Sequence, residues 1–115
     1  VDDIFPLHHH FAPGAYARDI FIPKGHVVVG KIHRHAHLNL ILKGKVLVST
    51  EEGEKTLEPG VFVSPAGVKR AVYALEDTTW TTIHVTDATE LVKIEEYVIA
   101  PDFQAVESDK KGRLE

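Results

Sequence analysis

The stretch HLNLILKGKVLVST, residues 37–50, decides the fold class, because apolar side chains occupy alternate positions on both sides of a Lys-Gly pair. Alternation at every second residue is typical of a half-buried β-strand. The Lys43-Gly44 pair suits a two-residue hairpin, which needs a positive φ at its second position. We therefore expect two strands here, joined by a tight turn.

Similar apolar and β-branched runs continue on both sides of this stretch, with a turn signal roughly every eight to twelve residues. The turns include hairpin loops around Gly53 and from Leu75 to Asp77. Many short strands at this spacing predict an all-β sandwich or barrel and not alternating α/β units. The predicted strands cover residues 17–22, 26–35, 37–42, 45–50, 54–57, 60–64, 69–74 and 79–86.

The two ends of the chain differ from this strand-rich region. Residues 1–14 contain Pro6 and the Pro13-Gly14 pair, so we expect an irregular N-terminal arm. After residue 87 the apolar residues recur at three and four, which predicts a short helix near 89–98 at the end of a single domain spanning 15–100. Residues 101–115 are polar and charged, as in a tail.

The composition narrows the classes of function. The 115 residues carry 13 Lys plus Arg against 17 Asp plus Glu, a net charge of −4 that argues against a nucleic-acid-binding role. No apolar run is long enough to span a membrane and no secretory signal is visible, so a cytoplasmic protein is expected. Eight histidines accompany no Cys and no Met, so nitrogen and oxygen would hold any metal.

Histidines are concentrated in one predicted strand, at positions 33, 35 and 37. Residues two apart share a face of a strand, so His33, His35 and His37 would line one side together with Asn39. Imidazole is the commonest metal-binding side chain. However, His33 and His37 would lie about 13 Å apart in an extended strand. Either the segment bends, or only two of the three histidines bind the same ion.

A fourth histidine lies on the last predicted strand. A hairpin centred near Asp77 would place Arg70 opposite His84, and Val72 opposite Thr82. His84 would then supply a ligand from a second strand, and Arg70 would hold a substrate carboxylate beside it. Arg70 is equally compatible with a surface or salt-bridged role. By the same register Trp80 and Thr82 would form a wall of the site.

The remaining histidines have simpler interpretations. We expect His26 to be a hydrogen-bonded strand residue, and His8, His9 and His10 to belong to a solvated arm.

Two motifs resemble those of the cupin superfamily of small, RmlC-like jelly rolls. Gly25, His33, His37 and Gly44 fall at the spacing of its first motif, and Gly60 to Arg70 follows its second. The resemblance covers residues 25–75 and extends in strand pattern to about 86, and it includes small cupin-like proteins found in phage genomes. It implies a double-stranded β-helix of six to eight strands with a metal in its mouth.

The sequence departs from the cupin motifs at their ligand positions. In the register set by the glycines, Lys31 stands at the first histidine position and His37 at the glutamate position, while a shifted register puts Asn39 there. Arg70 stands at the histidine position of the second motif. Neither register supplies a carboxylate, so the metal shell would be neutral and would favour an anionic guest.

These observations lead to one principal hypothesis: a metal-dependent cupin enzyme of oxygenase, lyase or isomerase type that acts on a small anionic molecule. One divalent transition metal (Zn, Fe, Ni, Mn or Cu) would be bound at the site, Arg70 would act on the substrate, and Asn39 would orient a ligand or bound water. The expected metal ligands are His33, His35, His37 and His84.

Two alternatives stay open. The protein could be a non-catalytic cupin that binds a small ligand or metal, or a β-domain whose histidines are incidental. In either case a homodimer is expected, because the strand near residues 15–22 would be a sheet edge that needs cover. Neither a nucleic-acid partner nor a membrane is expected.

Overall fold

The alternating sequence folds into short strands throughout, and the computed structural model describes residues 5–87 and 89–100. One short helix, α1 (Leu91–Val98), follows the main strands. The strands are β1 (Leu7–Ala12), β2 (Ala15–Ile22), β3 (Val27–Val29), β4 (Ile32–His33), β5 (His37–Lys43), β6 (Val46–Thr50), β7 (Gly53–Leu57), β8 (Gly60–Ser64), β9 (Ala71–Ala74), β10 (Thr78–His84) and β11 (Ile99–Ala100).

Nine of the strands form two antiparallel sheets that enclose one core, and β4 pairs with β11 in a separate two-stranded sheet. The larger sheet, sheet A, has the order β1-β2-β10-β5-β8, and the smaller, sheet B, has the order β3-β9-β6-β7. Alternate residues of both sheets are buried between them, including Ile22, Ile41 and Trp80 from sheet A and Val48 and Val72 from sheet B. The predicted all-β jelly-roll class is therefore confirmed, and so is a short helix within residues 89–98.

The predicted hairpin at Lys43-Gly44 is wrong. Gly44 has the expected positive φ of 107°, but β5 pairs with β10 and β8, while β6 pairs with β7 and β9. The turn therefore carries the chain from sheet A to sheet B. Alternation specifies the face that a strand buries and not its partner, so the two outcomes share one sequence pattern. The hairpin around Gly53, which joins β6 to β7, is confirmed.

The predicted pairing of Arg70 with His84 is also wrong. β9 lies in sheet B and β10 in sheet A, where His84 pairs with Tyr16 of β2. The amides of Leu75 and Glu76 donate to the carbonyl of Lys45 instead of closing a hairpin. This link crosses the sandwich, so the two strands that it joins face each other across the core.

The N-terminal arm is largely a strand. β1 forms an antiparallel hairpin with β2 in which Ala12 pairs with Ala15 and Leu7 with Ile20. Its polar side chains have partners on β2, since His10 Nε2 lies 2.8 Å from a carboxylate oxygen of Asp19. The run of three consecutive histidines in β1 gave no strand signal in the sequence. β2 is consequently an interior strand and not the edge that was expected to need cover, and the homodimer stays a prediction.

The described chain ends in a contact with the first half of the domain. β11 pairs antiparallel with β4, so that Ile99 lies opposite His33 and Ala100 opposite Ile32. Among the described residues, no helix is both long enough and apolar enough to cross a membrane. The predicted polar tail, residues 101–115, lies outside the described residues.

Candidate metal and ligand site

A bend between β4 and β5 brings two of the sequence-predicted histidines together. Strand structure stops at His33 and resumes at His37, and the predicted single strand over residues 26–35 is divided into β3 and β4. The imidazole centroids of His33 and His37 consequently lie 4.2 Å apart, whereas an extended strand would separate the two residues by about 13 Å. The bend allowed by the sequence is therefore observed, while the number of these histidines that bind one ion stays a prediction.

His84 completes a cluster of three imidazoles, which we call the histidine triad: His33, His37 and His84. Its ring centroid lies 5.2 Å from that of His33 and 5.1 Å from that of His37. β10 positions it by pairing with β5, the strand that carries His37. His84 was predicted to lie at the site, but from a pairing with Arg70 that the structure does not have.

The spacing of the triad can be compared with that of a metal centre. Three imidazoles bound to one ion at 2.0–2.1 Å have ring centroids roughly 5 Å apart, which the triad matches. In the present side-chain orientations, however, no group of three or more His, Cys, Asp or Glu residues in the described part of the chain is arranged to hold a metal ion. Metal binding would therefore require the rings to reorient within their present spacing.

Hydrogen bonding in the triad leaves nitrogen lone pairs available. His37 Nδ1 lies 3.1 Å from the carbonyl oxygen of His35, so Nδ1 carries the hydrogen and Nε2 keeps its lone pair. His33 Nε2 is buried and has no hydrogen-bond partner among the described residues. A buried nitrogen without a partner is unfavourable, and a bound cation would satisfy it. The donor set therefore fits a metal in its chemistry.

Burial keeps all three imidazoles neutral near pH 7. Desolvation lowers the pKa of His33 to about 3, with His37 and His84 contributing further. Desolvation also lowers the pKa of His84 to about 4, followed in size by the effect of His37. The pKa of His37 is likewise lowered by burial, against the opposing effect of its bond to His35. Neutral imidazole is the form that binds metal.

The same shifts predict that the metal-free protein loses stability as the solution is acidified. The folded pKa values of His33 and His84 lie below the unfolded value of 6.5, so the unfolded chain binds more protons below pH 6.5. The free energy of unfolding should therefore fall by about 2 kcal/mol per pH unit between pH 6.5 and 5, before most carboxylates titrate. Urea unfolding with EDTA present measures this slope. His33→Asn should reduce the slope and the exposed His26→Gln should not; equal slopes in all three proteins would contradict the prediction.

His35 is placed differently from the other predicted ligands. It lies in the bend, half-buried, and its backbone carbonyl orients His37. It is close enough to His84 to lower the pKa of that imidazole electrostatically. Its assignment as a metal ligand remains a prediction.

Asn39 and Arg70 belong to one buried hydrogen-bond network. Asn39 is only 2% exposed. Its Nδ2 donates to Ser64 Oγ over 2.6 Å, and its Oδ1 accepts from Trp80 Nε1 over 2.9 Å. Arg70 Nη2 donates to the same Ser64 oxygen. The network fixes Arg70 through Ser64, so Asn39 positions the guanidinium; its predicted contact with a cofactor is untested.

Arg70 projects over the aromatic ring of Phe62, with its guanidinium carbon 5.7 Å from the ring centroid. The side chain is half-buried, and desolvation lowers its pKa below the usual value for a guanidinium. A partly desolvated guanidinium is favourable when an anion binds it.

Two members of the triad, His33 and His37, line a cavity of about 120 Å³ between the two sheets, and His84 lies behind them. Four residues predicted to lie at the site line it, together with the predicted wall of Trp80 and Thr82; the four are His33, His37, Asn39 and Arg70. Two further cations, Arg18 and Lys31, also line the cavity.

No role at the site was predicted for Arg18 from the sequence. It lies on β2 opposite Thr82 and shares the inward face of that strand with Tyr16 and Ile20. Alternation along β2 could have indicated this orientation, but a lone arginine in a half-buried strand also suits a surface position.

The comparisons with known proteins bear on the fold. No family model and no curated protein matches the chain. Among solved structures, a cupin superfamily protein from Desulfitobacterium hafniense is 17% identical over 72% of this chain and 78% of that one, with a TM-score of 0.60. KdgF from Halomonas sp. is 23% identical over 72% of this chain and 79% of that one, with a TM-score of 0.59.

A larger enzyme also contains this architecture. Salicylate 1,2-dioxygenase from Pseudoaminobacter salicylatoxidans matches 82% of this chain with 27% of its own, at 12% identity and a TM-score of 0.64. Structural neighbours of this kind therefore include enzymes as well as proteins named only for their fold. At these identities the likeness concerns the fold, and the chemistry has to be argued from the site.

Proposed function

We propose that this chain, which has the cupin jelly-roll fold, binds one divalent transition metal (Zn, Fe, Ni, Mn or Cu) at the histidine triad. The observation that carries the proposal is the meeting of three neutral imidazoles, with centroids no more than 5.2 Å apart and an unpartnered buried nitrogen on His33. A bound ion would supply Lewis-acid chemistry toward a substrate oxygen.

The protein's own residues favour an anionic substrate beside the triad. The three imidazoles are neutral and therefore leave the charge of a divalent ion uncompensated. Arg70 lines the same cavity as His33 and His37 and is oriented by Ser64 and Asn39. We assign Arg70 the role of binding the negative group of a small substrate, in an enzyme of oxygenase, lyase or isomerase type.

Metal reconstitution tests this proposal. The protein is stripped with EDTA, incubated separately with Zn²⁺, Fe²⁺, Ni²⁺, Mn²⁺ and Cu²⁺, desalted, and analysed for metal content. We expect close to one equivalent of at least one metal, because the triad offers one set of nitrogen donors. Less than a tenth of an equivalent for every metal would refute the proposal.

A non-catalytic binding protein is the second candidate. It is favoured by the cavity lining, which among the described residues includes no Asp, Glu or Tyr that could act as a general base. Turnover distinguishes the two candidates. Metal-loaded protein that converts a member of a panel of oxygenase, lyase and isomerase substrates is an enzyme, and ligand binding without turnover across the panel favours the binding protein.

A further inference from the structure

The cavity is strongly basic for its size. Arg18, Lys31 and Arg70 line it, and no carboxylate does so among the described residues. Among the described residues, none of these three cations forms an ion pair with a protein carboxylate. Arg18 and Arg70 both lower the pKa of His33 electrostatically, which agrees with their position around one space. Partly buried cations without counter-charges favour an anion.

The remainder of the wall is mostly apolar. The polar atoms of Asn39 are already hydrogen-bonded to Ser64, Trp80 and Thr82. They are therefore not available to bind the hydroxyl groups of a polyhydroxylated ligand. The apolar side chains come from both sheets and include Ile20, Ile22, Val28, Val72 and Trp80. A ligand that fits must therefore combine one charged group with an apolar body.

The volume limits that body. The cavity measures about 120 Å³, slightly less than the roughly 150 Å³ of an apolar protein cavity known to accept benzene. Ligands of drug or nucleotide size occupy pockets of about 300 Å³ or more. The space thus fits an apolar body no larger than about six carbons.

We propose that the cavity binds a small organic carboxylate with an apolar body, and that Arg18 and Arg70 together hold its carboxylate. Arg18 is in this view a residue that determines specificity, because it supplies a second guanidinium that the ligand must neutralise. The inference deepens the proposed function and rests on it for the anion-binding role of Arg70. It does not require the metal, so the two can be tested separately.

Calorimetric titration of the metal-free protein with benzoate provides the test. Benzamide has nearly the same shape without the charge, and inorganic phosphate has the charge without the apolar body. We expect benzoate to bind at least about tenfold more tightly than benzamide, because hydrogen bonds to a charged group are stronger than neutral ones. We expect a similar margin over phosphate, because only benzoate buries an apolar ring against the apolar wall. We expect the same order of affinities for the three ligands when the metal-loaded protein is titrated at pH 7.

Variants locate the binding. Arg18→Gln should weaken benzoate binding at least about tenfold, Arg18→Lys should restore part of it because the charge is retained, and Lys43→Gln, on an exposed position outside the cavity, should leave it unchanged. Circular dichroism establishes that each variant is folded, and partial recovery in Arg18→Lys separates charge from folding.

Several outcomes would overturn the inference: benzamide or phosphate binding as tightly as benzoate, or Arg18→Gln binding benzoate like the parent protein. If the protein takes up one equivalent of metal but binds benzoate in neither form, the inference fails and the proposed function stands. If benzoate binds through Arg18 but no metal is retained, the inference stands and the metal centre is refuted.

Discussion

Replacing His84 with alanine is expected to weaken binding of the divalent metal by about 100-fold or more. The variant removes one of three nitrogen donors, and changes to residues that merely orient a ligand already reduce metal affinity by about 10–100-fold. The ring sits within 5.2 Å of both other triad rings, and β10 contains no second histidine to replace it. Competition against a chelator of known affinity, with Zn²⁺ as the metal, measures the loss.

Two other histidine variants serve as comparisons. His35→Ala should weaken metal affinity by about tenfold at most, because the carbonyl that orients His37 belongs to the backbone and is retained. His26→Ala, at an exposed position in a turn, should leave it unchanged. If His35→Ala reduced affinity as much as His84→Ala, the ring of His35 would be a ligand and the triad would be incomplete as described. Full affinity in His84→Ala would remove β10 from the metal centre.

Gly44→Ala is expected to destabilise the fold by about 3 kcal/mol or more. Gly44 has φ +107°, and an added Cβ would lie 2.5 Å from the carbonyl oxygen of Asp77 and 2.7 Å from Cα of Thr78. These are backbone atoms of the second link between the sheets, and they cannot rotate away as a side chain would. Strained backbone and overpacking therefore act together. The midpoint of urea unfolding, with the slope held common, gives the change in free energy.

Gly25→Ala is the matched control, since Gly25 also has a positive φ, of 86°, but an added Cβ meets nothing within 4 Å. It should cost only the conformational strain, about 1–2 kcal/mol. The difference in the free energy of unfolding between the two variants measures the effect of the close approach between the two links that join the sheets. Equal destabilisation would show that steric crowding at Gly44 has no effect.

The sequence predicted the elements of this fold better than it predicted their partners. Alternation revealed the strands from Ala15 onward, because a half-buried sheet imposes a period of two on each strand separately. Pairing depends on contacts between distant segments, so the links at Gly44 and at Leu75 were taken for hairpins although both cross between sheets. The strand Leu7–Ala12 was missed because its own face is polar and its stability comes from β2.

At the candidate site, too, local patterns were predicted from the sequence and contacts between distant segments were not. The bend that unites His33 with His37 was one of two possibilities left open by the spacing. His84 was placed at the site by its inward parity, although its true partner is Tyr16. Arg18 was overlooked because its significance depends on sharing a cavity with Arg70, and only the packed sandwich creates that cavity.

The pairing of β11 with β4 has a consequence for the order in which the molecule is completed. His33 belongs to the first third of the chain, yet the backbone opposite it is Ile99. Synthesis proceeds from the N-terminus, so strands β1 to β10 emerge before the segment that brackets His33. A nascent chain arrested short of Ile99 would carry every proposed metal ligand but not the strand that flanks the first of them. During translation, the strand that flanks His33 is therefore added after all of the proposed metal ligands.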